Sequence, residues 1–405
     1  MKLIDWRSVG NSAKWIGFCL LFVSSHSLAQ FFDPLDGYFD LSDYLSDNAY
    51  GFLPVPIIIT DPAVEGGLGV TGLFFHETEE EKTRRMQAMR SADVDAGRFL
   101  LPPSVSAVAV LGTGNGSWFA GGGHMGFFNQ GRIRYTAGGG YGDVNLDFYG
   151  SGDIELNKPI ELNTKATAVI QVAKFKLVDS PWFLGFSQRY IEAGISPTHL
   201  GDLEQALPPQ WSEILKNVLT MDVTTSGLGM IAEYDTRDNI FTPKQGLQYQ
   251  LEHLWYRDAI ASDIDFELTR FQGLNFFELS SQWYLGVKFS SEYADSDDFL
   301  PPFVTPSIAL RGIPAMRYQG KFVTMLESEL TWQLNNRWSL LGFGGAGRAS
   351  NSTAEFDDAK TRTTIGGGFR YQIARRYGFD MGLDFAWGPE GMVWYITAGS
   401  AWGGI

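Results

Sequence analysis

Apolar and polar residues alternate with a period of two along much of this chain, which indicates β-strands with two unlike faces. Residues 246–256, GLQYQLEHLWY, show the pattern, and the segments 281–290 and 380–387 repeat it. Two architectures fit such strands: a barrel with lipid outside and a polar lumen, or a soluble sandwich with one wet face. In 246–256 the apolar face carries Leu247, Tyr249, Leu251 and Trp255, and the polar face carries Gln248, Gln250 and Glu252.

The length and the ends of the predicted strands favour the barrel. They run to about ten residues, which suits a tilted membrane strand, and Trp and Tyr lie near the ends of their apolar faces, as in aromatic girdles. Their number is about sixteen, and closed bacterial barrels use an even number. The glycine-rich residues 138–150 fit either one bent strand or two. The predicted strands are 55–60, 66–76, 104–113, 116–128, 131–149, 162–178, 182–194, 223–235, 245–259, 264–278, 281–292, 321–334, 337–348, 361–373, 376–387 and 391–402.

We therefore expect an all-β chain with a transmembrane antiparallel β-barrel over residues 54–405. Residues 1–29 are predicted to be a signal peptide, since basic residues precede the apolar run WIGFCLLFV and small residues follow it. Residues 30–53 form a short periplasmic segment, too short for a domain, that is either a flexible tail or folded into the pore. Two insertions have helix-forming composition: 77–104, expected in the periplasm, and 199–220, expected outside the cell. The charged run in 77–104 is read as a solvated helix face or as a docking site for a partner.

Charge and cysteine usage narrow the class of protein. The net charge is −15, and loss of the signal peptide makes it about −17 by the same counting, so nucleic acid is excluded as a partner. The only cysteine, Cys19, lies in the signal peptide. The mature chain therefore has no thiol or disulfide, and we expect no metal site and no cofactor. An exported, acidic chain rich in glycine and aromatic residues fits the bacterial outer membrane, in contact with its lipid.

Residues 308–320, IALRGIPAMRYQG, place an arginine and a glycine in a long loop between two predicted strands. The strand count puts this loop on the extracellular side, and it is long enough to fold into the lumen. Gly312 would permit a tight turn that presents Arg311. A lumenal arginine needs acceptors, and the next strand supplies Glu327 and Glu329 on its inward face. Phe343, Arg370 and Asp384 also fall on predicted lumen faces. A single charged residue there would be explained by the ordinary polarity of a barrel lumen.

This order of residues resembles the bacterial surface antigen superfamily of outer-membrane barrels, which includes BamA, TamA and the two-partner-secretion transporters. The resemblance implies a sixteen-stranded barrel whose loop arginine, Arg311, is held by lumenal partners, mainly Glu329 with Phe343. Three sets of residues carry it. The loop motif is Arg311, Gly312, Glu327, Glu329, Phe343, Gly347, Arg370 and Asp384; the periplasmic turn motif is Asp235, Arg237, Asp238, Asn239, Pro243 and Gly246; the C-terminal assembly signal is Tyr395, Gly399 and Trp402.

The chain departs from the family pattern in three places. The family's F-x-D-x-G strand has Gly345 here in place of the aspartate, so Glu329 or Glu327 must compensate. Three residues follow Trp402, which stands where a terminal phenylalanine is usual. The periplasmic POTRA domains have no room, so the chain resembles the subset that lacks them.

Three functions follow from these observations. The first is outer-membrane assembly or transport of polypeptide or lipid, with unfolded polypeptide clients and periplasmic or outer-membrane assembly factors as partners. Its seam would open beside the first strand, where Pro56 cannot donate a backbone hydrogen bond, unless Pro56 only marks the start of the strand. The second is a gated or passive pore, or a structural barrel. The third, a lipid-face enzyme, is not expected, because His76, His124, His199 and His253 show no nucleophile pairing in the sequence.

Overall fold

A computed structural model of the protein describes residues 31–33, 36–42, 52–59, 62–76, 83, 104–151, 154–198, 220–240, 242–298, 300–375 and 379–402. The predicted signal peptide lies outside the described residues. So do the two insertions, apart from Thr83, Ser104 and Thr220. Among the described residues, no helix combines the length and apolarity needed to span a membrane.

Sixteen antiparallel strands form one sheet in which each strand pairs with its neighbours in the sequence, which confirms the predicted all-β barrel. Among the described residues, two short 3₁₀ helices, Pro62–Val64 and Asp258–Ile260, lie in connections. The strands are β1 (Phe52–Ile59), β2 (Gly67–His76), β3 (Ser104–Thr113), β4 (Trp118–Phe128), β5 (Ile133–Ser151), β6 (Ile154–Lys176), β7 (Trp182–Pro197), β8 (Asp222–Asp235), β9 (Gly246–Tyr256), β10 (Phe266–Ser280), β11 (Trp283–Asp295), β12 (Phe322–Gln333), β13 (Trp338–Ser350), β14 (Arg362–Ala374), β15 (Phe379–Gly388) and β16 (Gly391–Ala398).

The two faces of the strands are those the alternation predicts. On β9, Leu251 is 47% exposed, whereas the next residue, Glu252, is 1% exposed and points into the lumen. On β12, Leu326 and Leu330 are likewise exposed, and Glu327 between them is buried. An apolar outside with charged groups inside is the reverse of a soluble protein and suits lipid surroundings.

The barrel has two unlike ends. The terminal rim is the end at which β1 begins and β16 ends, and the loop rim is the opposite end, which carries residues 296–321. Residues 31–33 and 36–42 lie at the terminal rim, where the amide of Leu41 donates to the carbonyl of Ile373 at 2.7 Å. The described part of the predicted 30–53 segment is thus held at the rim and is neither a free tail nor folded into the pore.

The sheet is not fully closed by hydrogen bonds. β1 and β16 approach each other, but no ladder joins them within the described residues. Pro56 pairs with Val70 in the middle of β1, so it does not mark the start of the strand. A strand with proline in its interior is typical of a sheet edge, because proline has no backbone N–H.

Most predicted strand boundaries lie within three residues of the observed ones, and two differ by more. β6 begins at Ile154 instead of residue 162, and the long ribbon of β5 and β6 passes a register shift near Phe148. β16 ends at Ala398, four residues before Trp402. The glycine-rich residues 138–150 belong to one strand, β5.

Candidate functional site

The connection between β11 and β12, residues 296–321, folds into the lumen. Its apolar side chains Ile308, Leu310 and Ile313 pack with Val323 and Met325 of β12 in a buried cluster. Removing these side chains from water stabilises the folded-in position without any polar contact. The loop therefore presents its turn, Arg311 and Gly312, to the barrel interior.

Arg311 is surrounded by three carboxylates and a ring. Its Nε and Nη2 donate to Oε1 of Glu327 at 3.0 and 2.7 Å. Its Nη1 donates to Oε2 of Glu329 at 2.7 Å and to Oδ2 of Asp384 at 2.9 Å. The guanidinium lies over the ring of Phe343, 3.6 Å from its centroid. We call Arg311, Glu327, Glu329, Phe343 and Asp384 the Arg311 cluster.

The fork of a guanidinium is what allows one side chain to join β12 and β15. Charge-assisted bonds of this kind are short and directional, and a lysine could not make them simultaneously in this plane. The cluster carries a formal charge of about −2 before Arg370 is added, so its carboxylates need further donors. Arg311 therefore adds charge-assisted contacts to the apolar packing that stabilises the loop in the lumen.

Arg370 on β14 supplies the second guanidinium. It donates to both oxygens of Asp384, at 2.6 and 3.0 Å, so Asp384 lies between Arg370 and Arg311. The hydroxyl of Thr397 on β16 also reaches Asp384, at 3.4 Å. The cluster therefore connects β12, β14, β15 and β16 to the loop.

Gly312 fits the turn for two physical reasons. Its φ of +95° lies in a region that disfavours side chains, and a β-carbon there would lie 3.3 Å from the β-carbon of Ala386. Its amide donates to the hydroxyl of Tyr395 at 2.9 Å. Tyr395, predicted as part of an assembly signal, thus also contacts the loop turn.

The glycines of β13 make room for the apolar part of the loop. A β-carbon on Gly347 would lie 2.8 Å from Cγ2 of Ile308, and one on Gly345 would lie 3.0 Å from Cδ2 of Leu310. The position at which the family pattern has an aspartate is therefore filled by a leucine side chain from the loop. Both Glu327 and Glu329 bind Arg311 here, and Asp384 joins them, although the sequence pointed mainly to Glu329.

Trp402 is not on the last strand, contrary to the prediction. Residues 399–402, which follow β16, turn into the lumen, and the indole Nε1 of Trp402 donates to Oε1 of Glu327 at 2.6 Å. Its ring lies against Gly286 of β11 and 6.0 Å from the ring of Phe276. The sequence did not predict this contact, because the alternation of residues does not show where the chain ends a strand and turns into the lumen. The assembly role of Tyr395, Gly399 and Trp402 stays a prediction.

The predicted periplasmic turn joins β8 to β9 at the terminal rim. Oδ1 of Asp238 accepts the amide of Lys244 at 3.0 Å, and Oδ1 of Asn239 accepts the amide of Thr242 at 2.9 Å. Asp235 binds Arg237 at 3.0 Å. Pro243 lies beside the same lumenal cavity as Trp402. The motif thus acts locally as turn chemistry, with short polar side chains capping backbone amides.

A serine flanked by two histidines lies on the outer face of the barrel, and the sequence did not predict it. Oγ of Ser106 on β3 lies 2.8 Å from Nε2 of His76 and 3.0 Å from Nδ1 of His124. No described carboxylate contacts either ring, so the third member of a hydrolytic triad is lacking among the described residues. His253, farther round the barrel, binds Thr269 at 2.8 Å and packs on Trp255.

No protein-family model matches the chain, and a search of curated proteins found no match. Solved structures do share its fold. A BamA from Haemophilus ducreyi lacking POTRA domains 1–3 matches with a TM-score of 0.52 at 11% identity, over 85% of this chain and 69% of that one. CdiB from Escherichia coli matches with a TM-score of 0.54 at 9% identity, over 85% of this chain and 62% of that one. CdiB from Acinetobacter baumannii matches with a TM-score of 0.53 at 9% identity, over 86% of this chain and 59% of that one.

The chain thus has the fold of the BamA and CdiB barrels. It spans less than two thirds of the length of either CdiB chain.

Proposed function

We propose that this protein is a bacterial outer-membrane barrel that inserts or translocates polypeptide, with outer-membrane lipid as its surroundings. The observation that carries the proposal is the loop of residues 296–321 held inside the lumen by the Arg311 cluster. Other barrels also have lumenal loops, but three carboxylates around one arginine fix the tip of this loop in a single position. A barrel that changes state gains a defined closed form from it.

The orientation of the barrel in the membrane is inferred from the predicted signal peptide and from the lengths of the connections at the two ends. The terminal rim would face the periplasm, because the predicted signal peptide exports the chain and short turns are typical of that side. The loop rim would face the outside of the cell. Clients would be unfolded polypeptides, and assembly factors would act at the terminal rim. A catalytic role is not part of the proposal.

The seam between β1 and β16 supports a barrel that opens. Pro54 and Pro56 remove two backbone donors from β1, and the described residues form no ladder across the seam. An edge without a full ladder costs less to part than an interior strand pair. A seam of this kind would admit a client strand or lipid.

The test compares cells that lack the gene with cells that carry it, measuring the amounts of other outer-membrane proteins and the lipid content. We expect particular outer-membrane proteins to fall in abundance. Complementation with Arg311→Ala should fail to restore them. Complementation with Arg189→Ala, which removes a lumenal arginine bound to Glu252 away from the loop, should succeed.

Two results would overturn the proposal. If removal of the gene changed only the permeability of the outer membrane, the protein would be a gated or passive pore. If it changed neither protein content nor permeability, a structural barrel without client handling would be the better description.

A further inference from the structure

The terminal rim carries a short hairpin, described over residues 31–33 and 36–40, that the sequence did not predict. Phe32 and Phe39 form an antiparallel bridge. The amide of Asp33 donates to the carbonyl of Tyr38 at 2.9 Å, and the amide of Asp40 donates to that of Phe31 at 2.9 Å. These backbone bonds flank the bridge, so the hairpin has a defined register and two defined faces.

The acidic face of the hairpin is bound to the barrel. Arg337, in the connection between β12 and β13, donates to Asp33 at 2.8 Å, to Asp36 at 2.6 Å and to Asp40 at 2.5 Å. Its side chain is only 1% exposed. Arg375, just after β14, also pairs with Asp33, at 2.7 Å. Two guanidinium groups therefore fix three carboxylates to the rim.

The opposite face of the hairpin is aromatic and exposed. Neighbours along an extended chain point to opposite sides, so Phe32 and Phe39 turn away from Asp33 and Asp40. Phe32 is 48% exposed and Phe39 is 41% exposed. Their rings meet edge to face, with centroids 6.4 Å apart. Two adjacent exposed phenylalanines on a structure held by buried ion pairs call for a partner.

The position of this face indicates the partner. Tyr371, on the outward face of β14, donates its hydroxyl to the carbonyl of Phe39 at 2.6 Å. The Tyr371 ring lies 4.8 Å from that of Trp338, which is outward on β13. The stacked pair of Trp283 and Trp332 continues the outward aromatic residues at the same end of the barrel. The aromatic face of the hairpin is therefore continuous with the aromatic band of the barrel.

We propose that the hairpin is a membrane-interface element, with Phe32 and Phe39 seated among phospholipid headgroups of the leaflet at the terminal rim. Aromatic side chains favour this zone, where the ring is removed from water and polar groups stay hydrated. The carboxylates would otherwise oppose contact with lipid, and Arg337 and Arg375 neutralise most of their charge. The proposal rests on the membrane location proposed above. It adds to the lipid contacts of the strands a further contact, which the hairpin makes outside the barrel sheet.

The experiment places single nitroxide labels on cysteines in the full chain, purified and reconstituted in vesicles of phosphatidylethanolamine and phosphatidylglycerol. Cys19→Ser provides a background without thiols. The labelled variants are Phe32→Cys on the hairpin, Leu340→Cys on the outward face of β13, and Ser281→Cys in an exposed turn at the terminal rim. Power saturation then compares collision with oxygen, which partitions into lipid, and with a water-soluble nickel complex.

We expect the ratio of oxygen to nickel accessibility at Phe32→Cys to exceed that at Ser281→Cys several-fold, and to be lower than at Leu340→Cys. Adding Arg337→Gln should shift the label at residue 32 to the aqueous value, because the hairpin then loses the side chain that binds its three aspartates. A label that stayed in lipid would overturn the role of Arg337 in placing the hairpin.

Failure of the two proposals can be told apart. An aqueous label at residue 32 with a lipid value at residue 340 would overturn the hairpin proposal alone. A label at residue 32 shielded from both reagents would also overturn it, since protein would then cover this face. An aqueous value at residue 340 would instead overturn the membrane location itself.

Discussion

Trp402 and Arg311 donate to the same carboxylate oxygen. Oε1 of Glu327 accepts the indole N–H of Trp402 at 2.6 Å and Nη2 of Arg311 at 2.7 Å. The end of the described chain and the tip of the loop therefore meet at one atom of β12. A displacement of either group leaves a buried carboxylate with fewer donors, which couples the C-terminal residues to the loop.

Trp402→Phe should loosen the loop without releasing it. The substitution removes the indole donor but keeps a ring that can pack against Gly286. A hydrogen bond to a charged group contributes about 1.5–3 kcal/mol, so a modest fall in the unfolding temperature and faster proteolysis within residues 296–321 are expected. The matched control is Trp387→Phe on the outward face of β15, which should change neither. Equal behaviour of the two variants would contradict the coupling.

Arg311→Ala should have a larger effect than Trp402→Phe. It leaves Glu327, Glu329 and Asp384 buried without their common partner, and breaking a buried ion pair in this way costs about 3–5 kcal/mol. We expect loss of the folded-in loop and higher conductance in planar bilayers. Arg311→Lys should lie between, because it keeps the charge without the planar fork. Conductance and unfolding temperature that both match the unaltered protein would rule out the loop as a gate.

The fold could be predicted from the sequence because large apolar residues alternate with polar ones on most strands. The same alternation placed Glu327 and Glu329 in the lumen, since the residues that flank them, Leu326 and Leu330, face outward. The loop arginine and its acceptors on β12 could therefore be matched by counting positions along the chain. The alternation of residues is enough to predict this pairing, because the acceptors lie on the strand that directly follows the loop.

What could not be predicted depends on contacts across the lumen or on irregular backbone. The sequence placed Asp384 in the loop motif, but its direct contact with Arg311, from a strand far along the chain, depends on the curvature of the sheet. The early start of β6 has no clear signal in the sequence, because a proline such as Pro159 is unusual inside a strand. In the structure Pro159 falls in the register shift between the Phe148–Ile160 and Gly150–Glu155 pairs, where a missing donor is tolerated.

Gly345→Asp, which restores the aspartate of the family pattern, should destabilise this protein. A β-carbon at this position would lie 3.0 Å from Cδ2 of Leu310 and 3.4 Å from Cγ of Glu327, so the new carboxylate would add both crowding and like charge. Gly345→Ala separates the two effects, and we expect it to be milder because the leucine end can shift. Adding Leu310→Ala to Gly345→Asp should recover part of the loss. An unfolding temperature at or above that of the unaltered protein would show that the site has room for the aspartate.

Gly246→Ala should weaken the turn between β8 and β9. The φ of Gly246 is +105°, and an added β-carbon would lie 2.4 Å from the carbonyl oxygen of Thr236. Strain of this kind costs about 1–3 kcal/mol. The readout is the unfolding temperature of the refolded barrel, with Gly391→Ala as a control that shares a positive φ but has open space around its β-carbon. The crowded position should lose more stability than the open one.

Acid should release the N-terminal hairpin. The pKa of Asp36 is held below its ordinary value of 3.8, chiefly because Arg337 donates to its carboxylate. A lowered folded-state pKa means that the stabilisation is complete above this ordinary value and is lost as the pH falls through the lower folded value. Hydrogen exchange of residues 31–42, corrected for the intrinsic rate at each pH, should show protection at neutral pH and a loss below about pH 4. Asp36→Asn should be less protected at neutral pH and should change less with acid, since a neutral amide does not titrate. Protection that persisted unchanged to the lowest pH would mean that packing of the aromatic side chains, and not the ion pairs, holds the hairpin at the rim.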